Sequence, residues 1–199
     1  MAVKIGATPE HSFEQPLGLL SDCHRRIELF LGVLTRIAED ARGGALTNEQ
    51  RSGLMTALRY FREAAPKHTA DEELSLFPRM RACGGAEVEA ALDRVAELEA
   101  DHKRADQLHA EVDRLFMQWH DHGCLSEEKE TRLRQALSEL LRAYDEHIRT
   151  EDNEVFPLAE RVLDRDTKLA IGREMAGRRG VVPATVSDTV PLGELGQKR

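Results

Sequence analysis

The sequence predicts an all-α protein, an up-down-up-down four-helix bundle with a short fifth helix and an extended C-terminal tail. Three observations predict it. Apolar residues recur at helical spacing through four long segments, glycines and capping residues separate those segments, and β-branched alternation is scarce before the tail. Long amphipathic helices joined by short connections bury their seams against one another as an antiparallel bundle.

Residues 1–16 read as an N-terminal arm, and the bundle is expected over 17–163. In its first helix Leu17, Leu20, Ile27, Leu31, Leu34, Ala38 and Ala41 share one seam, which Gly43 and Gly44 end. Thr47 and Gln50 have the spacing of a capping box and start the second helix, whose seam runs Leu54, Leu58, Phe61, Ala65 and on to Leu76. Pro66 lies inside this helix and should kink it, because proline brings no amide hydrogen to the ladder. After Gly84 and Gly85 a third seam follows with Val88, Ala91, Val95, Leu98, Ala105, Val112, Phe116 and Trp119. Gly123 closes it. Ser126 then caps a fourth helix carrying Leu133, Leu137, Leu140, Tyr144, Val155 and Leu158. A fifth helix is expected from about Asp166 to Ala176, within 164–177, and 178–199 reads as the tail.

Composition narrows the function classes. The 199 residues carry a formal charge of −8, with 28 basic against 36 acidic side chains, which disfavours nucleic acid or an anionic membrane surface as partner. No run approaches the roughly 18 apolar residues of a membrane span, and the first residues lack the apolar core of a secretory signal. Cys23, Cys83 and Cys124 are odd in number and widely spaced, without a CxxC, so neither a disulfide framework nor a zinc knuckle is expected. A cytoplasmic protein is the expectation.

The chemistry lies in the residues that interrupt the seams. His24 stands on the first seam, His68 and Glu72 on the second, His102 and His109 on the third, His147 and Glu151 on the fourth. His24, His68, His102 and His147 each have an acid four residues later, namely Glu28, Glu72, Asp106 and Glu151. Side chains four apart share a helix face and can reach one small object. The pattern also repeats. His24 and His102 are 78 residues apart, His68 and His147 79, and HTADEELSLFP in one half answers HIRTEDNEVFP in the other. Two copies of a helical hairpin would bring all four histidines to one height along the bundle.

Four inward imidazoles and two inward carboxylates need partners, since buried polar groups without them are costly. One solution is a metal-free histidine–glutamate hydrogen-bond network, which makes an expensive core. The other is a metal centre. Mixed imidazole and carboxylate donors suit iron, manganese or zinc, and six protein ligands exceed what tetrahedral zinc uses. Shared between two six-coordinate irons, they leave room for an oxo or hydroxo bridge and an exogenous ligand.

The pattern H…HxxxE…H…HxxxE, with FP after each HxxxE, resembles the hemerythrin-like family, the HHE cation-binding domain, over about residues 17 to 160. That resemblance implies a four-helix bundle around a non-haem di-iron centre, with His24, His68, His102 and His147 as terminal ligands and Glu72 and Glu151 bridging two Fe ions. Ferritin-like di-iron bundles use the reverse order, Glu-x-x-His. Oxygen-carrying hemerythrins have a fifth histidine where Asp106 stands here. The set is therefore more similar to the bacterial di-iron proteins linked to repair of iron–sulfur centres after oxidative or nitrosative damage. It also resembles stand-alone members proposed to handle peroxide or nitric oxide, and the iron-sensing domain of a ubiquitin-ligase subunit.

The implied ligands are dioxygen, nitric oxide or peroxide. Sensing through a protein partner or homodimer and oxygen or iron storage are the alternatives. His109 should lie beside Tyr144 and hydrogen-bond to it, near the centre but too far along the axis to share its metal. Glu28 and Asp106 are expected to accept hydrogen bonds from ligand imidazoles, with service as alternate metal ligands the other role open to them, whereas Glu73 and Glu154 should face outward. His120, His122 and Cys23 are assigned no ligand role.

Overall fold

The computed structural model of the protein describes residues 9–181; the expected tail from 182 onward and the arm before residue 9 lie outside the described residues. The side chains of Leu92 and Val95 lie outside it too. Helix α1 (Pro16–Ala41) opens with proline at its first turn, where no amide partner is needed, and ends on Arg42 in the left-handed region. The capping box forms as the sequence predicts. Thr47 accepts from the Gln50 amide, and the Gln50 side chain accepts from that of Thr47, to begin α2 (Asn48–Glu63).

The second bundle helix is interrupted twice. At Ala64 the helix is interrupted, and α3 (Ala65–Asp71) restarts with Pro66 in its first turn, the place where the sequence predicts a disturbance. The second interruption is not foreseen in the sequence reading. Residues Glu72–Leu76 form a π-helical turn, π1, before α4 (Phe77–Cys83). Helix α5 (Ala86–His122) is continuous. The fourth bundle helix repeats the design of the second, with α6 (Glu127–Thr150), a π turn π2 (Glu151–Val155) and α7 (Phe156–Val162). Both π turns end immediately before Phe-Pro. Pro78 and Pro157 cannot donate to the preceding turn, so the ladder loosens to the i→i+5 pattern there, with the Phe77 and Phe156 amides donating to the Glu72 and Glu151 carbonyls. The fifth helix, α8 (Arg165–Arg178), is capped by Asp164 and runs slightly beyond the expected limits.

Each bundle helix packs on the next in sequence and the fourth returns to the first, which closes the ring. Among the described residues there is no strand, and no helix is long and apolar enough to cross a membrane. At one end the Trp119 indole donates to the Gly44 carbonyl at 2.7 Å and the Leu125 amide to the Gly43 carbonyl, tying the two loops of that end together.

The apolar core comes in two blocks. One contains Ile27, Leu34, Leu58, Val112, Phe116 and Leu137; the other contains Leu20, Leu76, Phe77, Leu98, Val155 and Ile171. Along every bundle helix buried polar residues stand where the two blocks meet. His24 stands between Leu20 and Ile27, His68 and Glu72 between Ala65 and Leu76, His102 between Leu98 and Ala105, and His147 with Glu151 between Leu140 and Val155. A buried polar layer thus crosses the bundle.

Candidate metal centre

All six polar residues of this layer are buried, and His24, Glu72 and Glu151 are fully so. They converge in two overlapping groups. His24, His68, Glu72 and Glu151 form one, and Glu72, His102, His147 and Glu151 the other, with one donor atom from each member within 4.8 Å of the rest. The two glutamates belong to both. Glu72 sets Oε1 3.2 Å from His68 Nε2 and Oε2 3.4 Å from His102 Nε2. Glu151 sets Oε2 3.0 Å from His24 Nε2 and 3.2 Å from His147 Nε2. Each carboxylate therefore spans one histidine of either pair.

All four imidazoles turn Nε2 inward, and for His24 and His102 the other nitrogen explains why. His24 Nδ1 donates to Asp152 Oδ1 at 2.9 Å, and His102 Nδ1 donates to Glu73 Oε1 at 2.9 Å. Since an ionised carboxylate only accepts, these bonds hold a proton on Nδ1 and turn Nε2 toward the centre as the atom a metal ion would take. Asp152 is itself held by the Ser21 hydroxyl at 2.8 Å and by Arg25. These acceptors correct two expectations. Glu28 is exposed and pairs with Arg25, while Asp106 is exposed on the wall of a cleft of about 360 Å³ between the second and third bundle helices. Neither reaches a ligand imidazole. Glu73, expected outward, supplies one of the bonds, whereas Glu154 does face outward and pairs with Arg94.

The π turns account for Glu73 and Asp152, which lie within them and are redirected by the register shift of one extra residue per turn; Glu28 and Asp106 stand on the continuous helices α1 and α5 and are exposed. Sequence periodicity carries no trace of the shift; the Phe-Pro pair after each motif is the signal that could have found it.

The electrostatics are those of a site built for a cation. Burial and the neighbouring Glu151 push the Glu72 carboxyl well above the usual range. Burial opposes charge on Glu151 as well, but the His147 and His24 imidazoles outweigh it and hold that carboxyl low. His24 is pushed up to about 10, since Asp152 and Glu151 overcome its burial. His68 falls well below its ordinary value through burial and the adjacent His24. The protein alone does not satisfy the layer. His24 Nε2, His68 Nδ1 and all four carboxylate oxygens of Glu72 and Glu151 lack a hydrogen bond, although several lie near 3 Å from another donor atom. Close approach without alignment fits atoms aimed at a common point between them. Metal ions of the imidazole- and carboxylate-binding class fit this donor set.

The model of the hemerythrin HHE cation binding domain matches residues 15–159. The chain belongs to the hemerythrin HHE family. An uncharacterized protein of Haemophilus influenzae is 26% identical over 170 residues, which cover 85% of this chain and 93% of the relative. This chain carries a hemerythrin-like metal-binding domain, and its two buried histidine and glutamate clusters could hold a metal ion.

Outside the layer, His109 Nε2 and the Tyr144 hydroxyl lie 3.0 Å apart, the hydrogen bond expected from sequence. The His109 ring stacks on Phe61 at 4.3 Å and forms part of the cleft wall, and the Tyr144 ring lies 6.4 Å from that of His147. Burial lowers His109 to about 4 and pushes the Tyr144 hydroxyl up. The imidazole is therefore neutral and the phenol keeps its proton; the phenol being the better donor and the imidazole nitrogen the better acceptor, Tyr144 donates and His109 Nε2 accepts. Cys23 is buried beside His24 in sequence but belongs to neither cluster, and His120 pairs with Asp121 on the surface.

Proposed function

We propose that this hemerythrin domain holds two iron ions and binds or reacts with dioxygen, peroxide or nitric oxide. The carrying observation is the sharing of Glu72 and Glu151 between two clusters that each add two histidines, a donor set for two adjacent cations rather than one. His24 and His68 would hold one ion, His102 and His147 the other, and the two glutamates would span them. Iron at this place supplies reversible one-electron chemistry and open coordination positions for a small molecule.

The protein's own part is orientation and exclusion. Asp152 and Glu73 fix the tautomer and rotation of His24 and His102, and two apolar blocks keep bulk water from the layer. The Tyr144 hydroxyl holds a proton one helical turn from His147, with His109 as its acceptor. Asp106, exposed in the place of a fifth histidine, leaves two imidazoles per ion. That count favours turnover or repair of iron–sulfur centres over stable oxygen carriage. The test is the iron-loaded protein mixed with hydrogen peroxide, dioxygen or nitric oxide under a spectrophotometer. Turnover of peroxide or nitric oxide supports the reading. A centre inert to all three contradicts it.

One observation favours a second reading, an iron-sensing module acting through a protein partner. Buried donor atoms left without hydrogen bonds couple the fold to the metal, so iron loss would alter the surface a partner reads. Strong iron-dependent protection from proteolysis without turnover would select it.

A further inference from the structure

Helix α8 follows the stretch matched by the family model, yet its charged side chains contact the scaffold of the metal layer. Asp71 is fully buried and immediately precedes Glu72. Two arginines at the end of α8 take one carboxylate oxygen each. Arg178 Nε lies 2.6 Å from Oδ1 and Arg179 Nη2 2.6 Å from Oδ2. On the other side of Glu72, the buried Ser75 hydroxyl meets Arg178 and donates to Glu174 Oε2 at 2.5 Å. Arg79 then binds both oxygens of Glu174, at 2.6 and 3.1 Å. The π turn is thus gripped before and after its metal-facing residue.

A grip is needed there. In a π turn the ladder is loosened, so the backbone fixes the direction of Glu72 less firmly than an α-helix would. Successive residues of a helix point roughly 100° apart, so a carboxylate anchored outward at Asp71 sets its neighbour toward the bundle axis. The other π turn uses the same device with a different anchor, because Asp152, next to Glu151, is clamped by Ser21 and Arg25 of α1. Asp71 differs in touching none of the six layer residues through a hydrogen bond or ion pair given by the structure.

We infer that Asp71, clamped by Arg178 and Arg179, is a positioning residue that aims Glu72 between the two metal sites, making α8 a working part of the centre. This rests on the two-iron reading. The experiment reconstitutes the full chain with ferrous iron without oxygen, then measures iron per chain, optical spectrum and release to a ferrous chelator. The R178Q/R179Q double variant should release iron about tenfold faster, in line with changes around metal ligands generally, and shift the spectrum. Apo-protein helicity should match wild type. Adding Asp71→Asn to the double variant should accelerate release no further, since all three act through one contact.

Lys168→Gln breaks the ion pair that α8 makes with Glu160, away from the π turn, and should leave release within about twofold of wild type. Release unchanged in the double variant, or equally fast in Lys168→Gln, overturns the inference and makes α8 a docking element only. Should the double variant lose its helicity, the single variants R178Q and R179Q decide by the same release rate. Wild type that holds no iron overturns the metal reading itself, whereas wild type holding two with insensitive variants overturns only the latch.

Discussion

His109 offers a sharp test of how the interior is charged. Its imidazole is buried against Phe61 and accepts from Tyr144, and burial lowers it to about 4 from an ordinary 6.5. A histidine depressed in the folded state adds nothing above the unfolded value. As pH falls through 6.5 the unfolded chain takes up a proton that the folded chain refuses, so stability is lost progressively toward pH 4. Linkage puts the loss at about 2 kcal/mol at pH 5 and about 3 kcal/mol at its limit. Replacing His109 with Gln removes this penalty but weakens the bond to Tyr144, which costs about 1 kcal/mol at pH 7. The two stability curves should therefore cross. Wild type is the more stable protein at pH 7 and His109→Gln the more stable at pH 5, by about 1 kcal/mol each way. Urea unfolding of both proteins in the same metal state checks it, and their difference cancels the titration of the metal layer. Parallel curves from pH 7 to 4.5 would show that His109 is freely protonated in the fold, and the assignment of Tyr144 as donor would fall with it.

Other outcomes follow from single contacts. Asp152→Asn leaves His24 with a weaker acceptor at Nδ1, and iron affinity measured by chelator competition should fall about 10- to 100-fold. Gly172 packs against the Phe13 carbonyl with no room for a Cβ, so Gly172→Ala should destabilise the protein by about 1–3 kcal/mol in urea unfolding. Tyr144→Phe removes the hydroxyl beside the centre; if that proton serves the reaction, peroxide or dioxygen turnover should slow with iron content unchanged, and an unaltered rate excludes the role.

The bundle was legible because its signals are local. The capping box at Thr47 and Gln50, the glycine breaks and the seam through Leu20, Leu34, Leu58, Phe116 and Leu137 are written in residue type and period, and each has its counterpart in the fold. The convergence of four histidines and two glutamates was legible too, because two equal hairpins place residues 78 and 79 apart at one height. What surrounds them was not. Asp152 and Glu73 reach their imidazoles from turns with one extra residue, where a uniform helical wheel offers Glu28 and Asp106 instead. The grip of Arg178 and Arg179 on Asp71 joins residues more than 100 apart, a pairing that periodicity along one helix does not encode.

Metal analysis of the protein purified without oxygen bears most directly on the central claim. Two iron atoms per chain are expected, falling together when Glu72 or Glu151 is replaced by Ala, because each glutamate serves both positions. One ion or none in wild type, or two that persist without either glutamate, would contradict a centre shared across the layer.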